Sequence, residues 1–206
     1  MKRGVYYVAY GDNARREAQQ SILSLRRATD LPVAVVSDKP LGVEDVFVER
    51  EDERWDPGAR EAKLKMLYYS PFEQTLYLDA DTRPRVNVMS GFEALDDGWD
   101  MVLCPSKNQE GKDWLWHLDP DARMQVWGWY GFEAVVFQAG VMWVANNDRT
   151  TILFDAWRMI WRSYKMKMDQ GALMMAMTVD PVKLWLFGHP WNGGALIAHH
   201  FGQARR

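Results

Sequence analysis

The sequence predicts an α/β domain with a mostly parallel central sheet and helices on both faces. Three observations carry this. Strand-like and helix-like patterns alternate from the amino terminus, the strand candidates are continuous apolar runs of the kind that suit strands covered on both sides, and the composition is that of an ordinary globular chain. The 206 residues suffice for one domain without staples, and the lone Cys104 excludes an intramolecular disulfide framework and an all-cysteine metal cluster. Lys plus Arg number 25 against 28 Asp plus Glu, a net charge of -3, so no global basic field attracts nucleic acid. The opening MKRGVYYVAYGDNARR lacks the apolar run of a secretory leader, and no stretch approaches the roughly 18 apolar residues of a membrane span. These features predict a soluble, cytoplasmic chain with no transmembrane segment.

The elements follow in order. Residues 4–11, GVYYVAYG, read as a buried strand ending in a Gly-Asp-Asn turn. Asn13 is placed to cap a helix whose apolar positions Ile22, Leu23 and Leu25 lead to Arg26 and Arg27 in its last turn. Residues 31–36 are a second strand and 46–48 a short third. A helix is predicted over 61–69, with Leu64, Leu67 and Tyr68 on one face and Pro71 ending it. Residues 75–78 form a fourth strand. Beyond it the pattern is less regular: a strand at 100–103, a loop-rich insert over 106–131 dense in Trp114, Trp116, Trp127 and Trp129, and a strand at 140–144. Asn147 or Asp148 starts a helix through Trp161, another helix follows Asp169, and residues 182–187 precede a Gly- and His-rich tail. With no linker or repeat, a single domain over 1–206 is expected.

The strongest chemical signal is Leu76-Tyr77-Leu78-Asp79-Ala80-Asp81-Thr82. An apolar strand delivers two carboxylates at its carboxyl end, the edge where open α/β sheets bind ligands. Successive strand side chains point to opposite faces, but a turn at the strand's end can aim both into one crevice. Two hard oxygen ligands there suit Mg²⁺ or Mn²⁺ sharing phosphate oxygens with a substrate. Acids closing a strand also cap helices or are solvated, and that reading stands beside the metal one.

That strand resembles the GT-A glycosyltransferases, family 8 (the glycogenin and galactosyltransferase group) most of all, as do Lys63-Leu64-Lys65 and Tyr69-Ser70-Pro71-Phe72. The likeness continues in Phe137-Gln138-Ala139-Gly140-Val141-Met142, Asp169-Gln170 and His199-His200-Phe201-Gly202. It implies the GT-A fold, with residues 1–103 as the nucleotide-sugar-binding half and 104–206 as the acceptor half and metal-binding tail. The implied activity is a retaining transfer of a sugar from a nucleotide sugar, a UDP-sugar by family habit, to an acceptor hydroxyl. Asp79, Asp81 and His199 would hold Mn²⁺ or Mg²⁺, with His200 the rival ligand. Ala9, Tyr10 and Asp12 would line the base pocket, Asp38 a second base or ribose contact, and Lys63, with Arg60 a turn away, would reach the donor alongside Ala80. Gln138 stands where the family has Asn and, with Gly140, would lie by the donor sugar. Asp169 and Gln170 would act at the donor sugar and near the anomeric carbon, Trp191-Asn192 would approach donor or acceptor, and Gly202 and Arg205 would meet the diphosphate.

Several of these positions admit plainer roles: Lys63 as a surface cation, Asp169 as a helix cap, the tail as a frayed end. From Tyr164 onward Lys165, Lys167, Lys183, Arg205 and Arg206 outnumber Asp169 and Asp180, a basic tail suited to a diphosphate or simply scattered charge. The aromatic insert reads as an acceptor platform stacking on sugar rings, or as core, or as a Trp- and Met-rich surface through which copies of the chain associate. Two other functions compete: a non-catalytic nucleotide-sugar-binding domain, and a D-x-D phosphatase, which wants Thr or Val where Arg83 stands.

Overall fold

Residue by residue, strand β1 (Arg3–Val8) divides its side chains between two cores. Tyr6 and Val8 join one apolar cluster and Val5 and Tyr7 the other, as the two-residue strand period demands. A computed structural model describes residues 2–50, 58–106, 120–130, 136–166 and 168–202. After β1 come α1 (Gly11–Leu25), β2 (Val33–Ser37), β3 (Val46–Glu49), α2 (Gly58–Leu64), α3 (Met66–Tyr69) and β4 (Gln74–Leu78). Then follow β5 (Thr82–Pro84), α4 (Met89–Asp96), β6 (Met101–Pro105), α5 (Pro120–Tyr130), β7 (Phe137–Ala145), α6 (Asp148–Ser163), α7 (Gln170–Val179), β8 (Leu184–Leu186) and β9 (Ile197–His199).

Among the described residues seven strands form one sheet in the order β3-β2-β1-β4-β7-β6-β8. All run parallel except β7, which is antiparallel to both β4 and β6, so the mixed α/β sheet is mostly parallel as expected. Helices α1 and α4 cover the cluster around Val5 and Tyr7, while α2, α3, α6 and α7 cover the one around Tyr6 and Val8. No helix among the described residues is long and apolar enough to cross a membrane.

Several boundaries differ from the sequence expectation. Helix α1 begins at Gly11, at a backbone φ of +82° that favours glycine, and not behind an Asn13 cap. Its first N–H is answered from a distance, by the Asp38 carboxylate at the end of β2, 3.3 Å away. The helix expected over 61–69 is two short helices meeting at Lys65. Part of the insert is the helix α5, and a further short strand, β5, follows Asp81. Asn147 caps α6 as expected, accepting the Thr150 N–H at 3.1 Å while the Thr150 hydroxyl accepts the Asn147 N–H at 3.1 Å. Much of the Trp and Met excess fills the interior: Trp143, Trp157, Met66, Met142 and Met175 are all buried core.

The second sheet positions the site. Strands β5 and β9 pair antiparallel with Thr82 opposite His199, which clips the tail onto the chain just beyond the two aspartates.

Candidate active site

Strand β4 ends at Leu78 and the next three residues turn out of the sheet. The turn is braced from both sides. The Asp79 N–H donates to the Gly140 carbonyl of β7 at 2.9 Å. On the other side a hydroxyl chain runs from Tyr7 to Ser21 at 2.9 Å and on to Thr82 at 3.0 Å. It ends where the Thr82 hydroxyl donates to the Asp79 carbonyl at 2.8 Å. A turn this tied holds its two carboxylates in fixed directions.

Those directions converge with His199. Its Nε2 lies 3.4 Å from Asp79 Oδ2 and 3.2 Å from Asp81 Oδ1, and one ligand atom from each of the three residues falls within 4.8 Å of the others. The Tyr77 hydroxyl donates to Asp79 Oδ1 at 2.7 Å, and the Gly202 N–H to Asp81 Oδ2 at 2.7 Å. Gly202 reaches that carboxylate with a φ of +87°, so its glycine is required by conformation. Burial alone would raise the Asp81 carboxyl, but the hydrogen bond and charge of a His199 ring carrying both its hydrogens, with the Gly202 N–H, outweigh it and bring it down to about 2. His200, the rival ligand, is exposed and gives its backbone N–H to the Asp81 carbonyl at 3.0 Å.

The donor set, two carboxylates and one imidazole, fits a divalent cation. Space has been left for it. A Cβ on Gly140 would sit 2.6 Å from Asp79 Oδ2 and closer still to His199 Cε1, so any side chain there would enter the cluster.

The cluster opens on a cavity of about 710 Å³ at the carboxyl ends of β1 and β4. Tyr10 and Asp12 line it from the start of α1, Arg60 and Lys63 from α2, and Ala80 from the turn. Gln138 and Gly140 line it from β7, Asp169 and Gln170 from the start of α7, and Gly202 from the tail. Ala9 and Asp38 do not. Asp38 is held instead by Arg15 and the Gly11 N–H, which outweigh burial and keep its carboxyl below the usual carboxylate range. Lys165 and Lys183 of the basic tail also lie away from the lining, and Lys167, Arg205, Arg206, Trp114 and Trp116 fall outside the described residues.

In the same cavity lining, Lys63 Nζ pairs with Asp169 Oδ2 at 2.6 Å, with both side chains buried. The lysine is therefore no surface cation. Asp169 occupies the N-cap position of α7 but makes no side-chain cap bond, because its carboxylate turns to the lysine. Burial pushes this carboxyl up, yet Lys63, with Arg60 adding to it, leaves it below its ordinary value. Lys63 Nζ also stands 5.0 Å from the centre of the Tyr77 ring, whose hydroxyl reaches Asp79, so the pair and the cluster share one side chain. Gln170 gives its amide to the Phe137 carbonyl and Gln138 its amide to Ser106 at 3.4 Å.

Two residues named in the sequence take roles that were not expected of them. Tyr77 was legible in principle, since a strand period of two puts it on the face of Asp79. Asn192 was placed near donor or acceptor, but it lies behind the cluster, its Oδ1 2.8 Å from His199 Nδ1.

No protein-family model matches the chain, and no curated protein matches it in sequence. Solved structures do. The chain is similar to the galactosyltransferase LgtC, crystallised with donor and acceptor sugar analogues: TM-score 0.66, 14% identity, 92% of this chain and 74% of that one. It is also similar to the bifunctional glycosyltransferase WbbM, with TM-score 0.64 and 11% identity over 93% of this chain and 39% of that one. For the glycosyltransferase GlyE of Streptococcus pneumoniae the TM-score is 0.58 and the identity 16%, over 93% of this chain and 47% of that one. The chain thus spans less than half of the last two proteins. At these identities the likeness speaks to architecture, and on it, together with the sheet order and the turn after β4, the chain has the GT-A fold.

Proposed function

We propose that this chain is a metal-dependent glycosyltransferase that moves a sugar from a nucleotide sugar, with a UDP-sugar as the expected donor, to an acceptor hydroxyl with retention at the anomeric carbon. The observation that carries the reading is the convergence of Asp79, Asp81 and His199 within 4.8 Å at the mouth of the cavity. When bound, Mn²⁺ or Mg²⁺ would draw off charge growing on the departing diphosphate.

The remaining roles belong to the chain. Tyr10 offers a ring at the cavity wall for the base, and Arg60 offers a guanidinium for the donor. The Lys63–Asp169 pair lines the same cavity as the metal ligands, where a carboxylate already held by a lysine can accept hydrogen bonds from sugar hydroxyls. Gln170, fixed to the Phe137 carbonyl, is restricted to a stabilising role beside the anomeric carbon. Gly202 brings backbone close to the phosphates, and Arg205 supplies a fork suited to two phosphate oxygens.

The test is direct. Purified protein is incubated with a panel of nucleotide sugars, with and without Mn²⁺, and free nucleotide is followed. Mn²⁺-dependent release, lost in Asp79→Asn with the fold intact, is the expected result. Binding without turnover across the panel would make the chain a nucleotide-sugar-binding domain, and phosphate release from simple phosphomonoesters would make it a phosphatase.

A further inference from the structure

We infer that Asn192 is a positioning residue for the metal site: its side-chain oxygen fixes which nitrogen of His199 carries the hydrogen, and so turns the other toward the cation. The inference rests on the metal reading above but concerns a residue that does not line the cavity.

Asn192 is fully buried just after a 3-10 turn, His189–Trp191. Its backbone N–H donates to the His189 carbonyl at 3.0 Å, and the N–H groups of Gly193 and Gly194 both reach the Ile197 carbonyl, at 2.9 and 3.2 Å, closing the loop onto β9. Its neighbour Trp191 stacks on Phe187 at 4.9 Å and meets Trp143 edge-on at 5.6 Å. Trp143 is fully buried and gives its indole N–H to the Val88 carbonyl at 3.1 Å. Asn192 is thus held through its backbone and through the core packing of its neighbour Trp191.

An amide oxygen accepts and never donates. With Asn192 Oδ1 at 2.8 Å, the hydrogen of a neutral His199 ring sits on Nδ1, and Nε2 presents a lone pair. That lone pair faces Asp79 and Asp81. Phe201, stacked on the imidazole at 4.0 Å, keeps the ring plane in place. The two carboxylates pull the other way, because each would be stabilised by a hydrogen on Nε2. Asn192 and the aspartates therefore compete for the tautomer. A ring with its hydrogen on Nε2 donates to the acids and has no lone pair left there for a metal. Residues that orient a ligating histidine in this manner typically contribute ~10–100-fold to metal affinity.

The experiment measures Mn²⁺ alone by calorimetry on wild type, His199→Ala, Asn192→Leu and Asn192→Asp, and reads the His199 tautomer from imidazole ¹⁵N shifts of the metal-free protein at a pH where the ring is neutral. Expected are an Nδ1–H ring in wild type, an Nε2–H ring in Asn192→Leu with Mn²⁺ binding ~10–100-fold weaker, and wild-type affinity in Asn192→Asp, which keeps an accepting oxygen. An Nε2–H ring in wild type overturns the inference, and this reading survives even if Asn192→Leu fails to fold. Weakened binding in His199→Ala with unchanged binding in Asn192→Leu also overturns it while leaving the metal site standing. Unchanged binding in His199→Ala removes the metal site itself.

Discussion

Two groups of acid lie some twenty residues apart in the sequence, Glu61 before β4 and Asp79 and Asp81 beyond it, and the fold treats them in opposite ways. Glu61, on α2, is met by cations of the protein: Lys65 at 3.7 Å, Arg162 at 2.8 Å, and Arg158. Asp79 and Asp81, beyond β4, are set around an imidazole ring, with a tyrosine hydroxyl and a glycine N–H as donors. A carboxylate taken from water needs compensation, which Glu61 gets from Lys65 at the junction of α2 and α3 and from two arginines of α6. At the aspartates the arrangement is one that suits a dication. Lys63 belongs to the same helix as Glu61 but turns to the cavity, where it answers Asp169. One helix thus carries an acid for structure and a base for the site.

Five substitutions would break or sharpen this contrast. The largest effect is expected from Asp79→Asn and Asp81→Asn. Each should remove the Mn²⁺-induced rise in melting temperature and weaken Mn²⁺-dependent donor binding beyond the ~10–100-fold that loss of an outer partner costs. A variant that keeps the native metal response would dissolve the contrast. Gly140→Ala comes next, because its methyl group would intrude on both Asp79 and His199. Loss of the Mn²⁺ response with about 1–3 kcal/mol of destabilisation in chemical unfolding is expected; a normal response would mean that the cluster has room to spare.

Glu61→Gln should do the reverse. Three cations lose their shared partner, so stability should fall by about 1–3 kcal/mol, while the Mn²⁺ response stays intact. A lost response would show that the two acid groups are coupled through α2. The smallest effect concerns Asp100, another acid answered within the protein, bound by Arg149 at 2.6 Å, Asn147 at 3.0 Å and the Lys183 N–H at 2.9 Å. Burial alone would raise its carboxyl, but Arg149, the Lys183 N–H and Asn147 hold it below the usual range. A depressed folded value means that its stabilisation is full above the unfolded value of about 3.9 and is lost as the pH falls through the lower folded one. Urea unfolding of wild type and Asp100→Asn should therefore differ by about 1–2 kcal/mol at neutral pH and by less in strong acid. An equal gap at both would count against the buried charge.

How much of this was legible varies by residue. The strand into Asp79-Ala80-Asp81 could be read because apolar runs ending in acids are local patterns, and Lys63, Asp169, Gln138, Gly140 and His199 were found by their likeness to a known family. Asp38 shows the limit. It sits after a strand at the expected sheet edge, yet its carboxylate is spent on Arg15 and the first N–H of α1. The amino end of α1 was misplaced for the same reason, since its first N–H is answered by a residue far away in sequence. Trp143, Trp157 and Met142, which follow the aromatic insert, are core, while Trp114 and Trp116 of the insert itself lie outside the described residues. A Trp's neighbours are not encoded in its own segment.

By itself the sequence determined the alternation of strands and helices, the mostly parallel sheet and the carboxylates at the end of β4, because hydrophobic period, turn residues and charge placement are properties of short segments. Only the tertiary structure decided that β7 runs against its neighbours and brings Gly140 under the aspartates, that β9 pairs with β5 so that His199 rather than His200 faces them, and that Lys63 meets Asp169 in the cavity lining. Each of these joins residues far apart in the chain. Which distant groups meet is settled by how the two hydrophobic faces of the sheet are covered, and no single segment carries that information.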